Sequence, residues 1–407
     1  MTNNPATYGN VSAMIDPDLF SAMEPILQQG LQHGNLYATA DTLYSLLARE
    51  PLTNEVLTHL GAEDSGSIAE LIERLMILQR CYPALQAHKN SLNIQASLLP
   101  ETFICYLPLA RFIALRSEQI QAREQRAAVI GINGSQGSGK TTINAFLQII
   151  LTRGFGKNVA GFSIDDVYKT YHQRQQMAAQ VHPLFAIRSV PGTHDTQLAL
   201  TTIRNLMFNA DHQSVPLPQF DKMARHGAGD RLPESLWPVI TGKVDVVLFE
   251  GWCVGATPQN SEDLTVPVNQ REKTEDADGT WRQEVNRQLS TTYQELFELL
   301  DDLLVIQVRS MEDVYRNREL QEQHLRQRLQ EAIEQGRTTT GLGAMNPEKV
   351  VAFIGLYERI TRHMLTTLAD EARATLFIGD HHRIERMRVN LPSERLRGHS
   401  ARPLTHH

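Results

Sequence analysis

The sequence runs to 407 residues, 41% of them hydrophobic and 21% charged. That is the usage of an ordinary globular chain, and at about 150 residues per domain it suggests two to three domains. Thirty-nine Lys and Arg against 46 Asp and Glu leave a net charge of −7, which argues against nucleic acid or an anionic membrane as a partner and leaves room for a local basic pocket.

The chain opens without a basic stretch leading into an apolar one, so no secretory leader is expected. Its purely apolar runs, such as Val246–Phe249, are a few residues long, whereas a spanning helix needs about 20. Cys81, Cys105 and Cys253 stand far apart with no C-x-x-C pair. Neither a disulfide framework nor a cysteine-rich zinc site follows, and a soluble, cytoplasmic protein is expected.

Residues 1–125 read as a helical extension. Ser67-Ile68-Ala69-Glu70 has the form of a capping box, and Ile68, Leu71, Ile72, Leu75 and Leu78 follow at helical spacing. A second helical run from Leu107 ends in a charged stretch near Arg126, the approach to a domain boundary. From there the texture changes. Five short apolar runs, Ala127–Ile132, Val159–Ile164, Val244–Phe249, Leu303–Val308 and Ala374–Ile378, alternate with helical patterns. Strands buried on both faces lose polar alternation, so this spacing predicts an α/β domain over 126–390, three-layered around a parallel five-stranded sheet. Thr257 to Arg282 is polar and turn-rich and reads as a mobile surface insertion. Residues 391–407 read as a disordered tail.

The first apolar run leads into Gly134-Ser135-Gln136-Gly137-Ser138-Gly139-Lys140-Thr141-Thr142, and an amphipathic helix follows at once. This is G-x-x-x-x-G-K-[ST] in its strand–loop–helix context. Such glycines let backbone N–H groups turn inward around phosphate oxygens at a helix N-terminus. Lys140 would reach the β- and γ-phosphates of a nucleoside triphosphate, and the Thr141 hydroxyl would meet Mg²⁺. No Asn-Lys-x-Asp guanine reader follows a suitable strand, which disfavours a GTP switch. Glu250 ends an apolar strand, the place from which a Walker-B acid faces phosphates and metal. Asp165 and Asp166 end the strand after the P-loop helix, where ligands gather in parallel sheets and where a carboxylate can accept a proton from an attacking hydroxyl.

At these motifs the chain resembles the phosphoribulokinase/uridine-kinase superfamily of P-loop kinases. Further strings narrow the likeness: Val190-Pro191-Gly192-Thr193-His194-Asp195, Phe220-Asp221-Lys222, Gly229-Asp230-Arg231 and Val246 through Trp252. Together they look like the plant-type D-glycerate 3-kinase family. The resemblance implies Asp165 as base, Glu250 as Walker-B acid, and a metal site of Thr141, Asp165 and Glu250. It implies acceptor contacts from Tyr168, His194, Asp195, Lys222 and Arg231 within an excursion over about 166–240. A lid over about 311–346 would supply Arg318. Asp195 reads equally as an N-cap of the next helix. Where that family tends to carry Arg, this chain has Gln219 and Ala228, with Arg225 nearby. The expected partners are ATP with Mg²⁺ and a small hydroxylated acid, D-glycerate first. A sister kinase with another acceptor and a P-loop ATPase regulator are the rival readings.

Overall fold

A computed structural model describes residues 10–48, 50, 56–60, 66–334 and 344–391. The expected tail lies, past Leu391, outside the described residues, as do residues 335–343 of the expected lid.

All five expected runs are strands, and all five are parallel. We label the strands of the central sheet β1 (Asn10–Met14), β2 (Ala128–Gly134), β3 (Val159–Ser163), β4 (Val246–Gly251), β5 (Asp302–Val308), β6 (Ala374–Ile378) and β7 (Ile384–Asn390). Their order is β1-β7-β6-β5-β2-β4-β3. Strands β2 and β4 are buried at every residue, as expected where helices cover both faces. The sheet is wider than the five runs. Strand β7 returns antiparallel to β6, and β1 pairs antiparallel with β7 at the edge. Only Ala13 of β1 is buried, so that segment lacks the apolar run by which the inner strands are read.

Helices Ile68–Ser91 and Leu107–Glu124 cover one face. Ser67 caps the first of them, its hydroxyl oxygen accepting the Glu70 N–H at 3.1 Å. Leu71, Leu75, Leu78 and Ile113 share one buried cluster with Ile143, Phe146 and Leu147 of the P-loop helix, Lys140–Ile149. The N-terminal helices therefore back directly onto the element that ends the phosphate loop. Helices Thr196–Met207, Thr280–Ser290 and Glu358–Glu371 cover the other face, around Phe162, Phe249 and Tyr293. No helix among the described residues is long and apolar enough to cross a membrane.

The stretch from Thr257 to Arg282 departs from expectation. It forms short helices held by buried ion pairs, Arg282 to Asp276 at 2.8 Å and Glu272 to Arg359 at 2.7 Å. Glu272, Asp276 and Arg282 are buried while its other acidic residues and Lys273 are exposed, a division that its composition alone does not reveal.

Candidate active site

Strand β2 delivers the chain into the phosphate loop at Gly134, and Gly139 begins the helix at φ 89°. Gly137 sits at φ 77°, and a Cβ there would lie 2.9 Å from the Asn317 Cβ and 3.2 Å from its backbone carbon. The helix Met311–Glu334 thus rests on the loop at a point only glycine fits. His382 Nε2 lies 2.8 Å from the Gly137 carbonyl oxygen on another side. Around the loop, Ser135 Oγ, Gln136 Oε1 and Ser138 Oγ are buried without a protein partner, as in a surface that a ligand completes. A Gly137→Ala variant combines a disfavoured φ with a clash against backbone. We expect it to weaken ATP binding about tenfold or more by calorimetry.

The carboxylates converge through sheet register. Glu250 stands opposite Ile132 of β2 and Ser163 of β3, beside the turn that carries Asp165 and Asp166. Ser163 caps that turn: its Oγ accepts the Asp165 N–H at 3.2 Å, and Asp166 accepts the Ser163 N–H at 2.9 Å. Asp166 is thereby committed to its own turn. Burial pushes its carboxyl up to about 6, against the pull of that hydrogen bond. Asp165 is left facing outward, half-buried, with the Lys222 ammonium at 2.7 Å. Burial pushes the Asp165 carboxyl up, but Lys222 and Lys140 outweigh it and hold it below the usual carboxylate range. Glu250 is 7% exposed, with Oε2 at 4.0 Å from Lys140 Nζ and free of any hydrogen-bond partner. Burial raises its pKa, partly offset by Lys140.

Behind Asp165 lies a layer of buried rings. Tyr168 and His194 form an isolated antiparallel bridge, and their rings stack at 4.3 Å. Main-chain bonds from Asp195 to Val167 and from Lys169 to Thr193 clamp the two segments together. Asp195 caps the helix Thr196–Met207, its Oδ1 accepting the Leu198 N–H at 3.0 Å, while Oδ2 accepts from Arg231 at 3.0 Å. Asp195 thus occupies the capping position read from the sequence, with Arg231 on its second oxygen. Arg231 also donates to the Tyr168 carbonyl. It ties the Tyr168 segment to Asp195 through those two bonds. Arg225 is taken up by Asp230, and Arg188 donates to the Gly227 carbonyl at 2.6 Å.

Arg318 stands on the helix that touches Gly137. Its guanidinium bonds Glu322 and lies 5.0 Å over the Phe353 ring. Two aromatic residues complete the surroundings. Trp252, just past Glu250, meets Tyr357 edge-on at 4.8 Å, and its Nε1 is buried without a partner. Tyr357 bonds Tyr168 and feels the charges of Asp165, Arg188 and Arg318; burial and Asp165 raise its pKa. Trp252 closes one of the strings read in the sequence. Tyr357 and Tyr293 had no local signal of this kind.

A phosphate loop, a basic residue at its end and two carboxylates at the carboxyl ends of parallel strands define a P-loop phosphotransferase. No protein-family model matches the chain. It is 33% identical over 239 residues to the uncharacterized kinase mug58 of Schizosaccharomyces pombe, covering 58% of this chain and 79% of that protein. It is 29% identical over 246 residues to the chloroplastic D-glycerate 3-kinase of Arabidopsis thaliana, covering 60% of this chain but 49% of that enzyme. Among solved structures, the YGR205w protein matches with a TM-score of 0.55 at 25% identity, over 70% of this chain and 99% of that one. A D-glycerate 3-kinase from Cryptococcus neoformans shares the fold with a TM-score of 0.54 at 22% identity, over 69% and 97%. The chain belongs to this family of P-loop kinases, and it is an ATP-dependent small-molecule kinase.

Proposed function

We propose that this kinase transfers the γ-phosphoryl group of ATP to a hydroxyl of a small hydroxy acid, D-glycerate, giving 3-phosphoglycerate. The observation that carries the reading is Asp165, paired with Lys222 at 2.7 Å beside the phosphate loop. Residues 134–142 cradle the triphosphate, and Lys140 lies along its outer phosphates. Asp165 accepts the proton of the acceptor hydroxyl as that oxygen bonds to the γ-phosphorus, and the bond to the ADP oxygen breaks. The exposed Lys222 ammonium is placed to turn from Asp165 toward an incoming carboxylate. Arg318 brings positive charge over the loop, and Tyr168 and His194 floor the acceptor pocket. A second pair, Arg231 and Asp195, holds that floor in place.

The residues present suit Mg²⁺. Glu250 offers a buried oxygen with no partner, Asp165 a second carboxylate and Thr141 a hydroxyl. These are hard donors of the kind Mg²⁺ takes together with nucleotide phosphates. When bound, the ion would supply neutralisation of charge on the phosphate oxygens. Three free, buried cysteines agree with a reducing cytoplasm.

ADP release measured with D-glycerate, L-glycerate and a nucleoside side by side tests the acceptor. D-glycerate is expected to be fastest, with a phosphorylated product by mass spectrometry. Equal, slow release with all three would overturn the assignment.

A further inference from the structure

Tyr293, on the short helix Thr292–Phe297, is fully buried and meets the His194 imidazole on the side away from its free nitrogen. The phenol oxygen lies 2.6 Å from Nδ1. The same oxygen accepts the Gly192 N–H at 3.0 Å and faces the backbone N–H of His194. Those donors occupy its lone pairs, so its single hydrogen goes to Nδ1. The imidazole, accepting there, carries its own hydrogen on Nε2. The reverse tautomer would leave the phenol hydrogen buried without an acceptor, an arrangement folded proteins avoid. Burial keeps the ring neutral by pushing its pKa down to about 3.

His194 is 1% exposed, and Nε2 is buried with no partner. The ring stacks on Tyr168, three residues past Asp165, and the imidazole and the Asp165 carboxylate are near enough to act on each other's charge. A donor held in this way beside the base, with nothing in the protein to receive its hydrogen, is a feature completed by substrate.

We infer that His194 is a fixed, neutral hydrogen-bond donor to an oxygen of the acceptor, and that Tyr293 is the positioning residue that sets its tautomer. This rests on the kinase reading above and deepens it. The acceptor carries, beside the hydroxyl that is phosphorylated, a second oxygen able to receive a hydrogen bond, as a hydroxy acid does. An analogue lacking that oxygen leaves a buried N–H unpaired and is rejected strongly. An ammonium at that place has no lone pair to offer and is excluded as well. The Val190–Asp195 string acquires a physical meaning from this. Gly192, at φ 104°, turns its N–H onto the phenol, and Thr193 braces the turn through the Val190 carbonyl.

The test is made on the full chain labelled with ¹⁵N-histidine, with His194 signals identified by their loss in His194→Gln. The wild-type ring is expected to be protonated at Nε2 and bare at Nδ1. Tyr293→Phe is expected to mix the tautomers and raise KM for D-glycerate about tenfold, with KM for ATP within about twofold. His194→Phe should lose at least as much, and His194→Gln, which keeps a nitrogen donor, should recover part of it. A wild-type ring protonated at Nδ1 overturns the inference, as does a Tyr293→Phe variant whose two KM values stay unchanged or rise together. Failure of the kinase reading would look different: equal, slow ADP release with D-glycerate, L-glycerate and a nucleoside, with the histidine tautomer as described.

Discussion

Asp165→Asn is expected to lose at least about a hundred-fold in kcat with D-glycerate while binding metal-free ATP with unchanged affinity. The amide matches the carboxylate in size, so the turn capped by Ser163 keeps its shape. What disappears is the ability to accept a proton from the acceptor hydroxyl. The Lys222 ammonium loses its 2.7 Å partner as well, but that side chain is half-exposed and water can solvate it. Affinity for ATP without the metal depends on the loop at 134–142, which Asp165 does not touch through any hydrogen bond. Steady-state turnover together with calorimetric titration of ATP separates the two effects. Near-normal turnover with intact affinity would remove Asp165 from the chemistry.

Arg359→Leu is expected to destabilise the fold by about 3–5 kcal/mol in urea unfolding, because it leaves a buried carboxylate without its counter-charge. Glu272 is 0% exposed and receives two hydrogen bonds from the guanidinium, at 2.8 and 2.7 Å. The same guanidinium donates to the carbonyls of Asp263 and Val266. One side chain therefore ties the 260s to the helix Glu358–Glu371. Replacing both partners by leucine should recover most of the loss, since two apolar groups of similar volume leave no charge stranded. A double variant as unstable as the single one would mean that the carbonyl contacts, not the ion pair, hold the segment.

The inner architecture was legible because burial on both faces writes itself into sequence. Strands such as β2 and β4 have no polar alternation to mistake, and the phosphate loop is a local motif whose residues are its geometry. The Ser67 cap was readable for the same reason. The N-terminal edge strand is different. With a single buried residue, β1 carries too little apolar pattern to be separated from the helices after it. The segment 257–282 misled in another way. An arginine paired with a glutamate 87 residues away is indistinguishable, in one dimension, from two solvated charges. In the site, Asp165 and Glu250 were found from strand ends, whereas Tyr293 and Tyr357 are ordinary tyrosines until the fold brings them to His194 and Tyr168. The balance between capping and binding at Asp195 needed the position of Arg231.

The pairing of β1 with β7 has a mechanical consequence. Asn10 lies across from Asn390 and Met14 across from Arg386, so the two outward-leading ends of this ladder lie side by side. Tension applied through residues 10 and 390 would act across the strands and break their bonds one after another, like a zipper. The five strands within would be loaded only after that border had parted, so a stretched molecule should give way first at its rim and last at its phosphate loop.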